Sequence, residues 1–133
     1  MAGRTKRGRP KAGGAGETLR LRLNFGPRRI VGPGRVELLE QIERTGSLAA
    51  AGRAMRMSYK RAWTLVEELN ATFDTPLVAL ARGGRAHGGA VLTPLGREVV
   101  ERYRRIVALT LAAVAEDVGA LADRLAEEDL PAS

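Results

Sequence analysis

The side chains best equipped for chemistry in this sequence are basic, aromatic and hydroxyl groups gathered in one short run, Ser58-Tyr59-Lys60-Arg61-Ala62-Trp63-Thr64. Their chemistry is recognition rather than bond making. Lys60 and Arg61 carry donors that suit guanine O6 and N7, Tyr59 adds a hydroxyl, and Thr64 suits a base edge or a thymine methyl. Ser58 suits a helix cap that also touches a phosphate. Trp63 has two readings left open, a wedge against neighbouring helices or a contact with DNA. No catalytic or metal-ligating set competes with this run. The chain has no cysteine and one histidine, His87, which excludes thiolate chemistry, disulfides, cysteine zinc sites and histidine clusters. No nucleophile–base pair or cofactor motif stands out, so the sequence predicts a protein that is not an enzyme and that uses neither cofactor nor metal.

Such a run needs a rigid platform, and residues 45–70 supply the pattern for one. Ser47 and Ser58 each stand before a helical pattern, where a side-chain oxygen can accept from an unpaired backbone N–H. The first predicted helix, residues 48–55, is mostly alanine and lets another helix approach closely. The second, residues 58–70, has an apolar stripe at Ala62, Leu65, Val66 and Leu69, spaced i, i+3, i+4 and i+7. The pair reads as a helix-turn-helix, which sets the N-terminal residues of its second helix against base edges in the major groove.

Length and charge agree with a nucleic-acid partner. The 133 residues carry a net charge of +7, and the sequence pI is near 10.9. From Glu116 onward the balance reverses, with Glu116, Asp117, Asp123, Glu127, Glu128 and Asp129 against Arg124 alone. The basic part is thus nearly the whole domain, which points to a polyanion; skewed base composition is the blander source of so much Arg and Ala. No signal-peptide pattern and no run of about 18 apolar residues occurs, so no membrane partner and a cytoplasmic, nucleoid-associated location are expected.

In chain order, residues 1–17 read as a disordered basic tail. Within it Arg7-Gly8-Arg9-Pro10 is similar to the core of an AT-hook, with Arg7 and Arg9 suited to a narrow minor groove, against the alternative of a generic basic arm. Residues 18–93 form the predicted DNA-binding domain. Residues 18–25 alternate Leu19, Leu21, Leu23 and Phe25 with polar residues and predict a half-buried strand. Pro33 starts a helix running to about Thr45, with Leu38, Leu39 and Ile42 inward and Gly46 ending it. Two apolar runs, residues 77–80 and 90–92, flank a Gly- and Arg-rich tip and predict a hairpin wing. Arg82 and Arg85 of this wing, with Arg28, Arg29, Arg53 and Arg56, would supply phosphate contacts. His87 in that tip reads as a solvated side chain.

Thr93-Pro94 opens the last helix, expected over residues 94–127 and about 50 Å long; residues 128–133 are a C-terminal tail. Leu95, Val99, Tyr103 and Ile106 can face the domain. Beyond them Val107, Leu111, Val114, Val118, Leu121 and Leu125 recur at alternating spacings of four and three. That stripe suits a seam for another helix, and a homodimer at a palindromic site is the expected use; a helix folding back on its own domain is the alternative. The fold class expected is mainly α with a small β-sheet: a winged helix-turn-helix with an N-terminal strand, a hairpin wing and a long C-terminal dimerisation helix.

This order is that of a LysR-like winged helix, and the chain resembles the N-terminal DNA-binding domain of ModE-type molybdenum-responsive regulators. The residues that carry the resemblance are SYKRAW at 58–63, TGSLAAAGRAM at 45–55 and GGRAHGGAVLTPLG at 83–96. The resemblance implies dimerisation and regulation of genes for molybdate uptake or molybdenum-enzyme production. Members of that family carry a molybdate-binding region after the long helix, which the sequence to Ser133 does not contain. The expectation is therefore a sequence-specific regulator on double-stranded DNA without its own molybdate sensor, which either binds DNA constitutively or takes its signal from a separate sensing protein. The rival is a sequence-independent architectural protein of the nucleoid.

Overall fold

Glycine and proline punctuate the chain at the points where its elements begin and end. A computed structural model describes residues 19–81 and 89–128. In chain order they form β1 (Leu23–Asn24), β2 (Ile30–Val31), α1 (Pro33–Thr45), α2 (Leu48–Ala54), α3 (Tyr59–Asn70), β3 (Val78–Leu80), β4 (Ala90–Leu92) and α4 (Pro94–Ala122). Residues 21–105 are one compact unit, and α4 from Ile106 onward lies outside it.

α1 starts as Pro33 predicts, because a proline at N1 loses no helical hydrogen bond. It stops at Gly46, whose left-handed φ of 73° lets its N–H reach the Ile42 carbonyl at 2.8 Å. Val36, Leu38, Leu39 and Ile42 turn inward. Leu38, Leu39 and Ile42 meet Leu48, Ala51, Ala62, Leu65, Val66 and Leu69 from the next two helices, and Leu77, Val78, Ala90 and Leu92 from the wing, in one apolar core. Alanine at 51 and 62 and glycine at 52 allow the close approach of α2 to α3. A Cβ on Gly52 would sit 3.4 Å from that of Ala62.

The N-terminal strand is shorter than its alternation suggests. Leu19, Leu21 and Leu23 are half-buried and Arg20, Arg22 and Asn24 exposed, but Phe25 breaks the pattern at 59% exposure. The chain is already turning there. Asn24 Oδ1 accepts from Gly26 N–H at 3.1 Å, Phe25 N–H donates to the Arg29 carbonyl at 2.8 Å, and Gly26 and Arg28 take positive φ. The turn folds β1 back on β2, antiparallel, with Leu23 opposite Val31 and Asn24 opposite Ile30. A two-residue strand such as β2 is too short for periodicity to reveal.

The wing pairs β3 with β4 antiparallel, Ala79 opposite Val91. Its base is tied at three places. Asn70, the last residue of α3, accepts from the N–H groups of Leu77 and Val78 at 2.9 and 3.0 Å and donates to the Val78 carbonyl at 3.1 Å. Ala90 N–H donates to the Gly46 carbonyl at 3.0 Å. Thr93 caps α4 as expected, its hydroxyl accepting from Gly96 N–H at 3.0 Å while donating to the Pro76 carbonyl at 2.8 Å.

The first turns of α4 hold to the domain through Tyr103, which is buried and donates its hydroxyl to the Leu21 carbonyl at 2.6 Å. Arg104 adds a two-pronged ion pair with Glu40 of α1. Leu95 and Val99 pack against the core, whereas Ile106 is 36% exposed. The helix ends at Ala122, five residues before the expected Glu127, which makes it roughly 43 Å long. Asp123 follows directly, an acidic residue where the negative end of the helix dipole disfavours it, and no basic residue occupies the last turn. Leu125 therefore lies beyond the helix whose seam it was expected to extend.

Candidate nucleic-acid interface

Both serine caps form. Ser47 Oγ accepts from Ala50 N–H and Ser58 Oγ from Arg61 N–H, each at 3.0 Å. Between the helices the chain makes a tight turn in which Met57 N–H returns to the Gly52 carbonyl at 3.0 Å and Arg56 takes a left-handed φ of 58°. An asparagine or glycine would adopt that conformation more readily, so packing of the two helices overrides the local preference at Arg56.

α3 buries Ala62, Leu65, Val66 and Leu69, as its spacing predicts. At 100° per residue the remaining positions fall into three stripes. Lys60, Thr64 and Glu67 point directly away from the core, Lys60 and Glu67 exposed and Thr64 half-buried. Tyr59 and Trp63 form one flank, 51% and 40% exposed. Trp63 is not among the buried residues of the apolar core. Arg61 and Glu68, seven residues apart, form the other flank. Glu68 receives Arg35 of α1 at 2.9 Å, so this flank faces α1.

Of the other basic candidates, Arg53 and Arg56 are exposed at the α2–α3 turn and Arg28 and Arg29 are exposed on the β1–β2 turn. Arg82, Arg85 and His87 of the wing tip, and Arg7 and Arg9 of the tail, lie outside the described residues. Two arginines escaped the sequence reading. Arg22 and Arg35 line, with Arg61, a single cleft. Arg22 was hidden as the polar half of an alternating strand, and Arg35 as the polar face of α1. Among the described residues no group of His, Cys, Asp or Glu could hold a metal, and no helix is long and apolar enough to cross a membrane.

Two capped helices at a tight turn, a three-helix core and a hairpin wing make the arrangement of a winged helix-turn-helix. Residues 34–97 match the family described as bacterial regulatory helix-turn-helix protein, lysR family. Several similar proteins are named for molybdenum. Over 78 residues the chain is 47% identical to the molybdenum-pterin-binding protein MopB of Rhodobacter capsulatus, covering 59% of this chain and 29% of that protein. It is 43% identical over 72 residues to the molybdenum transport protein ModE of Azotobacter vinelandii, covering 54% and 27%. With the DNA-binding transcriptional dual regulator ModE of Escherichia coli (strain K12) it shares 35% over 83 residues, covering 62% and 32%. The match thus spans about a third or less of each of these relatives.

Proposed function

We propose that the chain is a sequence-specific regulator that binds double-stranded DNA through α3, as a homodimer on a palindromic site, and that its genes serve molybdate transport or molybdenum metabolism. The observation that carries this reading is the outward stripe of α3. Its first turn is capped by Ser58 and presents Lys60 at the point where a helix-turn-helix meets base edges. Thr64 continues the stripe, and Tyr59, Trp63 and Arg61 flank it. Arg28, Arg29, Arg53 and Arg56 fit backbone phosphate contacts, which orient a protein on the duplex without reading sequence. The relatives' names support the molybdenum link.

The dimer rests on the distal part of α4. Val107, Leu111, Val114 and Val118 share one side of that helix and are half-buried, and Leu121 is 71% exposed. An apolar stripe of this spacing on a helix suits a second helix.

Selection of binding sites from random DNA, followed by footprinting, tests the reading. The expected result is a palindrome whose half-sites lie about one turn of DNA apart, or a multiple of it. Uniform coating of every duplex would replace the regulator with a sequence-independent architectural protein.

A further inference from the structure

Arg22, Arg35 and Arg61 reach one cleft from three different elements. Arg22 comes from the segment entering β1, Arg35 from the first turn of α1 and Arg61 from the first turn of α3. With Ile30, Gly34 and Leu65 among the wall residues, they line an open cleft of about 380 Å³. Three guanidinium charges meet one carboxylate, since Arg35 Nη2 bonds Glu68 Oε1 at 2.9 Å. Among the described residues no carboxylate pairs with Arg22 or Arg61. Arg35 Nη1 is buried with no hydrogen-bond partner, so even the paired arginine is only half satisfied.

The backbone adds to the same sign. α1 begins at this cleft with Pro33, has no acidic residue in its first turn and receives no side-chain cap from Gly32. The N–H groups of Gly34 and Arg35 have no intrahelical acceptor there, and the positive end of the helix dipole faces outward with them. Surplus like charge in one cleft is unfavourable until an anion enters it. Guanidinium forks pair bidentately with the oxygens of carboxylates and phosphates, and of these a DNA duplex offers phosphates.

We propose that this cleft is a seat for a tetrahedral oxyanion, and that a backbone phosphate of the bound DNA fills it. The proposal rests on the reading of α3 as the DNA-binding helix. Arg61 supplies the link, because it belongs to the cleft and follows Lys60 directly on α3. The cleft then fixes the register of α3 on the duplex, and Arg61 acts as a positioning residue on the backbone instead of a reader of bases. The volume leaves room for the sugar attached to the phosphate.

Two substitutions in the full chain test this. Arg22→Ala removes one donor. Gly34→Asp places a carboxylate at the cleft, where nothing lies within 4 Å of a Cβ added to Gly34; an acidic residue in a first helical turn also keeps the fold intact. Binding is measured against salt on the selected site and on a scrambled duplex. Arg22→Ala should lower the log-log salt slope by about 0.9 and weaken both duplexes alike, roughly fivefold at 0.15 M salt. Gly34→Asp should weaken both duplexes with an unchanged or higher Tm. Wild-type slope and affinity in both variants would overturn the proposal.

A second arm separates the sources of the oxyanion. Tm is measured in inorganic phosphate and in chloride at equal ionic strength. A phosphate-dependent rise in the wild type that Arg22→Ala abolishes supports the oxyanion chemistry of the seat, and does so even if the protein fails to select any DNA site. The same result with an unchanged DNA slope in the variants assigns the seat to a free anion and overturns its use for DNA.

Discussion

Single residues on α3 divide the work by which stripe they occupy. Lys60 stands one position into the capped turn and points away from the core, with neither packing nor an ion pair to hold it among the described residues. A side chain so placed can be removed without cost to the fold, so its loss reads out recognition alone. Lys60→Ala is expected to weaken binding to the selected site by about 1–3 kcal/mol, with a smaller effect on random DNA and an unchanged Tm. Equal losses on both duplexes, in the same titration, would make Lys60 a phosphate contact. Side-chain type alone made Lys60 and Arg61 equivalent. The difference between them comes from seven-residue spacing to Glu68 and from Arg35 across the gap, and no local pattern encodes the second.

At the scale of elements, the ends of α1, α2 and α3 were legible because their signals are local. A proline at N1, a serine cap or a left-handed glycine acts within four residues of the end it sets. Contacts across the chain were not legible. Gly96 shows the gap most clearly: in the sequence it is a glycine near the start of a long helix, and helix propensity predicts that alanine there would stabilise by about 1 kcal/mol. In the fold a Cβ at that position would sit 2.2 Å from the Leu77 carbonyl oxygen, where the strand base passes over α4. Steric overlap with backbone outweighs propensity, since neither the strand nor the helix can yield without breaking the Thr93 and Asn70 hydrogen bonds. Gly96→Ala is expected to destabilise by about 3 kcal/mol, read as a fall in Tm of more than about 10 °C for a domain of this size. A rise in Tm would show that propensity governs after all. The same contrast appears at the end of β1, where alternation ran on to Phe25 and the turn over residues 24–29 stopped the strand at Asn24.

For the whole molecule the open question is how many α3 helices reach DNA together. On the proposed function one domain would offer one reading helix and a modest set of phosphate contacts, and a second copy would double both on a two-fold site. The residues of the apolar stripe from Val107 to Leu121 run from half-buried to 71% exposed. Val114 lies near its middle, outside the unit of residues 21–105, so a charge there leaves the core of the DNA-binding domain untouched. Val114→Asp should convert the protein to a monomer by sedimentation, while the domain keeps its cooperative thermal transition. Its affinity for a single half-site should match the wild type. Its affinity for the full palindrome should fall by roughly 100-fold, the lower end of the gain that linked binding sites give through effective concentration. A dimeric Val114→Asp protein would move the interface elsewhere on the chain. A monomeric wild type with the same affinity for half-site and palindrome would remove the two-fold reading and leave each domain to find DNA alone.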